Sequence, residues 1–406
     1  MNAITALTFV LVVMTIGDLV SAKTKAFVPS VFVSAILFLV GFWYIFPEDL
    51  VKIATLSQPV AGLTMYLLIT HMGTMMSVRE LAAQWKTIVI ALAGIAGIII
   101  LLLTVGSAVL GRETAVVGAP PLTGGIVAAI LMRDAAAEIG KQDLAVLSIL
   151  VYVVQGFIGY PLTAILLKRN GQKLLADFRK NPSLALKRTE EDKVVEGNGK
   201  KGIKFPPDIP EKYNSTYMIL FRLAFVALLA DIAAKYLNMG LLAISPKAPT
   251  ISVYVVCLIF GVIAAEIGLV ERKPLNKAES FGWLMTCLMA FIFEGLNAAT
   301  PEMLLQVLMP LVGVILIGVT GLIIFAFIAG KVLGENPEMS ISIALNALYG
   351  FPPNFILTTE AINSLTENQV EKEYLTDNML PKMLVGGFTS VTIASVIIAG
   401  IFVGFL

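Results

Sequence analysis

Long apolar stretches alternate with short polar segments along most of this 406-residue chain. A helix that crosses the hydrocarbon core of a bilayer needs about 20 mostly apolar residues. Stretches of this kind lie at 3–20, 26–46, 58–76, 87–110, 143–167, 215–238, 250–270, 281–298, 303–331 and 383–406. The pattern therefore predicts an all-α polytopic membrane protein with five transmembrane helices in each half.

Two further apolar segments, 114–140 and 338–362, are interrupted by paired prolines. The phrase Gly-Ala-Pro-Pro begins at Gly118 and the phrase Gly-Phe-Pro-Pro begins at Gly350. Proline lacks an amide donor and its ring clashes with the preceding turn, so it interrupts a helix. Broken backbone at membrane depth is tolerated only where it is buried in protein or lines a wet cavity. We therefore expect one re-entrant hairpin in each half, and paired breaks of this kind point to a transporter's binding site.

The polar stretch 168–214 separates the halves and holds 12 Lys/Arg against 7 Asp/Glu. Its composition predicts a solvated linker, and its basic excess places it in the cytoplasm. The predicted domains are an N-terminal repeat at 1–167, the cytoplasmic linker and a C-terminal inverted repeat at 215–406. An odd number of spans in each half inverts the second half, and both termini are predicted to lie outside a cell (inner) membrane.

Short matches in a common order support this internal repeat. Asp18 and Asp231 lie in the first helix of their respective halves, and Gly73…Glu80 matches Gly295…Glu302. Val109-Leu110-Gly111 matches Val332-Leu333-Gly334, and the paired prolines follow in each half. The shared order, with a slowly drifting offset, favours an inverted repeat.

The chain also resembles a known family. Val28-Pro29-Ser30-Val31-Phe32 opens the second helix with a proline motif, and Thr123-Gly124-Gly125 gives the first hairpin its glycines. With its central hydrophilic loop and one hairpin per half, it resembles the bacterial glutamate–sodium symporter family and its relatives, including the 2-hydroxycarboxylate carriers. This resemblance implies sodium-coupled uptake of an acidic solute, a homodimer, and an elevator-like motion of a core domain against a scaffold.

The residues predicted to bind substrate lie at the two breaks or close to them. Helix ends at a break present unpaired amides and a positive dipole end, which suit a carboxylate. Asn and Gln offer both a donor and an acceptor, although interhelical hydrogen bonding or a simple packing kink would also explain them. The predicted set is Pro120, Pro121, Thr123, Gly124, Gly125, Gln155, Pro352, Pro353, Asn354, Thr358 and Thr359.

Sodium is the predicted coupling ion, and the unwound carbonyls of a break can hold it. The predicted ion-binding residues are Gly118, Asn346, Gly350 and Glu294. Glu294 follows an uncharged run, and an ionisable group inside a span is a functional candidate by default. It could instead carry a coupled proton or lie at the outer interface.

Two other ionisable side chains have open roles. His71, the only histidine, could titrate near physiological pH or serve as a packing residue. Arg133 could bind a carboxylate in bidentate fashion or pair with the adjacent Asp134.

We therefore expect a secondary active transporter for glutamate or a related small anionic or zwitterionic solute, with sodium and the lipid bilayer as its other partners. A proton-coupled carrier or exporter and a channel-like pore remain alternatives. The sequence contains no phosphate-binding Gly-x-x-x-x-Gly-Lys loop and no metal-ligand spacing, so we predict neither an enzyme nor a cofactor. A net charge of +1 argues against a nucleic-acid partner.

Overall fold

The computed structural model describes residues 1–180, 214–244, 251–391 and 395–406. Within these ranges the chain is helical and contains no strand. The helices of the first half are α1 (Ala3–Lys23), α2 (Ser30–Tyr44), α3 (Leu50–Ile53), α4 (Gln58–Thr74), α5 (Val78–Ala83), α6 (Trp85–Leu101), α7 (Ser107–Leu110), α8 (Arg112–Leu122), α9 (Ile126–Glu138) and α10 (Gln142–Lys180). A π-helical turn, Leu102–Gly106, joins α6 to α7.

The second half repeats this alternation of long and short helices. Its members are α11 (Thr216–Ile244), α12 (Val253–Glu266), α13 (Pro274–Lys277), α14 (Phe281–Glu294), α15 (Pro301–Gln306), α16 (Leu308–Leu333), α17 (Pro337–Leu345), α18 (Pro353–Leu365), α19 (Gln369–Thr389) and α20 (Ser395–Val403). Short 3-10 turns, Gly295–Ala298 and Asn346–Leu348, follow α14 and α17.

Six helical stretches of the described chain are long and apolar enough to cross a membrane: Ala3–Lys23, Trp85–Leu110, Gln142–Lys180, Thr216–Ala243, Phe281–Ala298 and Leu308–Leu333. The helices α2 and α12 are also apolar but shorter. Large apolar side chains such as Leu305, Met309 and Val332 face outward, between 75% and 83% exposed. Since exposed apolar surface of this kind suits lipid rather than water, the prediction of an all-α membrane protein is confirmed.

Helix α10 does not end where the sequence predicted the linker to begin. It runs for 39 residues to Lys180, so residues 168–180 are helical. The extension has a buried face: the Phe178 ring lies 4.6 Å from that of Tyr374, centroid to centroid, and Arg179 pairs with Glu371. Packing against α19 therefore outweighs the polar composition here, and the rest of the predicted linker lies outside the described residues.

The last predicted span, 383–406, is divided in the structure. Helix α19 begins earlier, at Gln369, where the Asn368 side chain accepts hydrogen bonds from the amides of Val370 and Glu371. It ends at Thr389, and the separate helix α20 follows. Hydropathy alone missed the first turns of α19 because they are polar, whereas an N-cap supplies the start signal.

Helices α6 and α16 pack along their length and cross at a pair of glycines. A Cβ on Gly97 would lie 2.2 Å from the carbonyl oxygen of Gly321, and a Cβ on Gly321 would lie 2.2 Å from that of Gly97. The contact is reciprocal, and it brings the two backbones together. These helices share one cluster of buried apolar side chains with α1, α2, α8, α10 and α17, while a second cluster joins α4, α11 and α12.

Candidate functional site

The first interrupted segment is a pair of helices, α8 and α9, separated by Thr123–Gly125. Gly124 and Gly125 have φ of +107° and +95°, which favour glycine. Pro120 and Pro121 lie inside the last turn of α8, so the helix is interrupted after the prolines, at the predicted residues Thr123, Gly124 and Gly125. Helix α8 nevertheless continues to Leu122. The two prolines remove only the two hydrogen bonds that their amides would have donated to the carbonyls of Val116 and Val117, which are buried residues.

Two residues of the predicted site contribute to this end of α8 in other ways. The Thr123 amide donates to the carbonyl of Ala119 at 3.2 Å, and its hydroxyl donates to that of Pro120 at 2.7 Å. Gly118 lies within the helix, where a Cβ would be 2.6 Å from Cγ1 of Val314. Gly118 therefore permits close packing on α16 and is not part of the unwound backbone that was expected to hold an ion.

The N-terminus of α9 presents its first amides without acceptors. Gly125 is its N-cap residue and makes no side-chain capping bond. Among the described residues, the amides of Ile126, Val127 and Ala128 have no hydrogen-bond partner. Unpaired amides at the positive end of a helix attract an anion. The first break thus offers the kind of end that the sequence predicted for a carboxylate.

The second interrupted segment differs in where its prolines lie. Pro352 is the N-cap residue and Pro353 the first residue of α18, after a turn in which Gly350 has φ of +65°. The Asn354 amide donates to the Gly350 carbonyl at 3.1 Å, and the Phe355 amide donates to that of Pro352 at 3.0 Å. The amides at this helix start are therefore already paired, so the expectation of unpaired amides at both breaks holds only for the first.

Two asparagines flank the second break, and each has a buried oxygen without a partner. Asn346 and Asn354 are fully buried. Nδ2 of Asn346 donates to the Ile343 carbonyl at 3.0 Å, and Nδ2 of Asn354 donates to the Met383 carbonyl at 2.9 Å. These bonds fix the orientation of both side-chain amides, because a flipped side chain would place its Oδ1 against the carbonyl oxygen that now accepts from Nδ2. Both Oδ1 atoms remain unpaired in the described part of the chain.

The same two side chains pack on a glycine of α19. A Cβ on Gly387 would lie 2.4 Å from Nδ2 of Asn354 and 3.3 Å from Oδ1 of Asn346. An unpaired buried acceptor costs on the order of 1–3 kcal/mol. Asn346 and Asn354 both contact Gly387, and each keeps one buried oxygen that suits a hard cation or an N–H donor.

The two breaks meet at Val391, which follows the end of α19. A Cβ on Gly124 would lie 2.7 Å from the Ala347 carbonyl oxygen and 3.1 Å from Cγ2 of Val391. A Cβ on Gly350 would lie 2.9 Å from the same methyl group, and one on Gly125 would lie 3.1 Å from the Val391 carbonyl. The glycines of both breaks therefore allow the two tips and the end of α19 to touch.

A small cavity adjoins the second break between α10 and α14. Its volume is about 60 Å³, and its wall includes Tyr152, Tyr160 and Tyr349. The Tyr349 hydroxyl donates to Oγ1 of Thr163 at 2.8 Å. One water needs roughly 10–15 Å³ on this measure, so the space accommodates a few waters or a small polar group.

The remaining predicted substrate residues have mixed surroundings. Gln155 on α10 is 1% exposed, and its Oε1 has no partner in the described ranges. The Thr358 hydroxyl donates to the carbonyl of Asn354 at 2.6 Å, whereas the half-buried Thr359 donates to the Phe355 carbonyl at 3.0 Å. Gln155 keeps an acceptor to offer, while both threonine hydroxyls already donate within their own helix.

Three ionisable candidates lie away from this convergence. Glu294 ends α14, half-buried, with no hydrogen bond or ion pair to any described residue. Nδ1 of His71 accepts from the Leu275 amide at 3.2 Å, so the ring caps α13 and supports the packing interpretation. Arg133 pairs with Asp134 at 2.7 Å and both are exposed, as the ion-pair alternative predicted.

Sequence reasoning missed Glu360, a carboxylate on α18. Its Oε2 accepts from the Ser21 hydroxyl at 2.9 Å and from the Ser30 amide at 3.2 Å, while its Oε1 accepts from the Ser30 hydroxyl. Ser21 is on α1 and Ser30 begins α2. The rule that singled out Glu294, a charge within an apolar segment, applies equally to Glu360 and would have found it.

No known protein family matches the chain, and no curated protein shows significant sequence similarity to it. The resemblance to the glutamate–sodium symporters therefore remains a prediction from the motifs.

Proposed function

We propose that this protein is a secondary active transporter that couples sodium entry to the uptake of a small anionic or zwitterionic solute, with glutamate as the first candidate. The observation that carries the proposal is the meeting of two helix breaks at Val391 in a membrane-embedded protein. Paired breaks in two halves, touching one another, are the arrangement from which transporters build a central binding site.

The two breaks offer complementary chemistry for such a solute and its ion. The amides at the start of α9, which have no partner within the described ranges, suit a carboxylate. The unpaired Oδ1 atoms of Asn346 and Asn354 suit sodium, since hard cations take oxygen ligands. Binding both charges next to one another lowers the cost of burying either one, which gives a physical reason for co-transport.

We further propose that the halves form an inverted repeat. The reciprocal contact of Gly97 with Gly321 supports this, because residues beside a two-fold axis contact their own counterparts. The homodimer and the elevator-like movement of the hairpins against a scaffold come from the family resemblance. That analogy is weaker support than the geometry.

Uptake into proteoliposomes tests the proposal. Purified protein is reconstituted, and accumulation of labelled glutamate, other amino acids and dicarboxylic acids is measured with an inward sodium gradient and with choline in its place. We expect uphill accumulation of at least one solute that requires sodium. Accumulation that ignores sodium and follows a pH gradient would favour the proton-coupled alternative, and currents without accumulation would favour a channel.

A further inference from the structure

We infer that Glu360 links the sodium site proposed at Asn346 and Asn354 to helices α1 and α2, so that sodium binding controls how α18 is held against them. This inference rests on the proposed function and adds a positioning residue to it. The residue acts through α18, and its contacts lie on a different face of that helix from Asn354.

Glu360 caps a helix that has no cap of its own. The N-cap position of α2 is Pro29, which makes no side-chain capping bond. Oε2 of Glu360 receives the Ser30 amide at 3.2 Å, and the Ser30 and Ser21 hydroxyls complete the set of donors. A carboxylate at a helix N-terminus is stabilised by the free amides and the helix dipole. The hairpin thus supplies the cap, and α2 loses it if α18 moves away.

Helix α18 has two functional faces. Asn354 and Thr358 are fully buried on the face toward α19. Ile356 and Glu360, one turn apart, border the space next to α1 and α2. Glu360 comes six positions after Asn354, which is about 9 Å along a helix axis. A change of position at one end of this single short helix is therefore transmitted directly to the other.

The surroundings of Glu360 leave room for α18 to move. A cavity of about 760 Å³ lies on one side, bordered by Asp18, Glu360 and Asn363. A second cavity of about 340 Å³ also reaches Asp18 and is bordered by Phe355 and Ile356. Among the described residues, every hydrogen bond that joins α18 to α1 or α2 is made by the Glu360 carboxylate. Coupling between two equilibria is reciprocal, so sodium binding changes the stability of these contacts by the same factor by which the contacts change the affinity for sodium.

Cysteine labelling measures this link in the full-length protein. Asn363 is exposed in the larger cavity, and Cys257 and Cys287 are buried, so Asn363→Cys provides one reactive thiol. Its maleimide labelling rate is measured in detergent with sodium or with choline at equal ionic strength. Couplings between sites are typically fivefold or more, so we expect sodium to change this rate at least about fivefold.

Adding Glu360→Gln should reduce the change to less than about twofold, while sodium still raises the melting temperature of the protein. Ser30→Ala, which removes a donor from the other side of the contact, should act in the same direction. Ser34→Ala is the matched control: it is a buried serine one turn further along α2 that does not bond Glu360, and the full response should remain.

The outcomes separate the two proposals. If sodium stabilises the protein against heat but the Glu360→Gln and Ser30→Ala variants keep the full change in labelling rate, the link through Glu360 is wrong and the proposed sodium site is retained. The same conclusion follows if sodium stabilises the protein without changing the labelling of Asn363→Cys. If sodium neither stabilises the protein nor changes its labelling, the proposed sodium coupling fails and the link fails with it.

Discussion

The first interrupted segment, 112–138, and the second, 337–365, place their paired prolines on opposite sides of the break. In the first, Pro120 and Pro121 lie in the last turn of the helix before the break, and the helix after it begins with amides that have no partner among the described residues. In the second, Pro353 begins the helix after the break, and the neighbouring amides are paired. The same dipeptide therefore lies before the break in one segment and starts the helix after the break in the other.

This difference separates two kinds of recognition. The first segment offers main-chain amides to a ligand, and these do not depend on residue identity. The second segment offers the side-chain oxygens of Asn346 and Asn354. Substitutions that keep the backbone path should therefore leave uptake intact in the first segment and reduce it in the second. Substitutions that move the backbone should be damaging in both.

The largest effect is expected for Gly124→Ala. The new Cβ would lie 2.7 Å from the Ala347 carbonyl oxygen, at a φ of +107°, so the two tips must separate. We expect sodium-driven uptake to fall at least about tenfold, since 1.4 kcal/mol of lost contact already suffices. Gly140→Ala is the control: its φ is also positive, +76°, but no atom lies within 4 Å of the new Cβ. Equal losses in both variants would show backbone strain alone and refute the contact between the tips.

Asn354→Ala should come next. It removes one of the two unpaired oxygens, and we take the lost oxygen–sodium contact to be worth about as much as a hydrogen bond to a charged group, roughly 1.5–3 kcal/mol. The sodium concentration for half-maximal uptake should therefore rise about ten- to a hundredfold. Ser364→Ala on the same helix serves as the control, because its hydroxyl donates to the Ala361 carbonyl within α18 and the residue is not in the predicted binding set. Unchanged sodium dependence in properly inserted Asn354→Ala protein would exclude this residue from the ion site.

The proline pairs give a smaller and more specific contrast. Pro121→Ala restores an amide that can bond the Val117 carbonyl, and so removes a free oxygen next to the first break. Pro353→Ala changes only the first residue of α18, whose amide has no helical partner in any case. We expect a several-fold loss of uptake for Pro121→Ala and less than about twofold for Pro353→Ala. The reverse order would mean that the second break, not the first, depends on its prolines.

The smallest effect is expected for Glu294→Gln. Glu294 lies outside both hairpins and makes no hydrogen bond or ion pair within the described ranges. Sodium-driven uptake should change by less than about twofold, as for most substitutions away from specific contacts. Uptake that follows a pH gradient and is lost in this variant would instead assign the coupled proton to Glu294.

The apolar pattern was enough to predict a helical membrane protein and the two interruptions, because spanning length and proline chemistry are local properties. It did not predict that α10 extends to Lys180 or that the stretch 383–406 is divided. The exact position of each break does not follow from the prolines alone. Thr123 ends α8 after Pro121 by bonding back to Ala119, and Gly124 and Gly125 then turn the chain. The sequence alone does not distinguish this from a break at Pro120 itself.

Residues with distant partners were harder to predict. Glu360 bonds Ser21 and Ser30, more than three hundred residues earlier, and no spacing rule connects them. The polar start of α19 and the extension of α10 also depend on one another, through Arg179 and Glu371. By contrast, Asn346 and Asn354 were predictable as candidates because they flank the break in the sequence.

The crossing of Gly97 and Gly321 has a consequence for how this chain can change over generations. Each residue is the obstacle to the other's side chain, since each Cβ would meet the opposite carbonyl at 2.2 Å. Both are already the smallest residue, so a larger residue at one position cannot be offset by a smaller one at the other. If the halves arose by duplication, this pair leaves the two copies no freedom to diverge at that point.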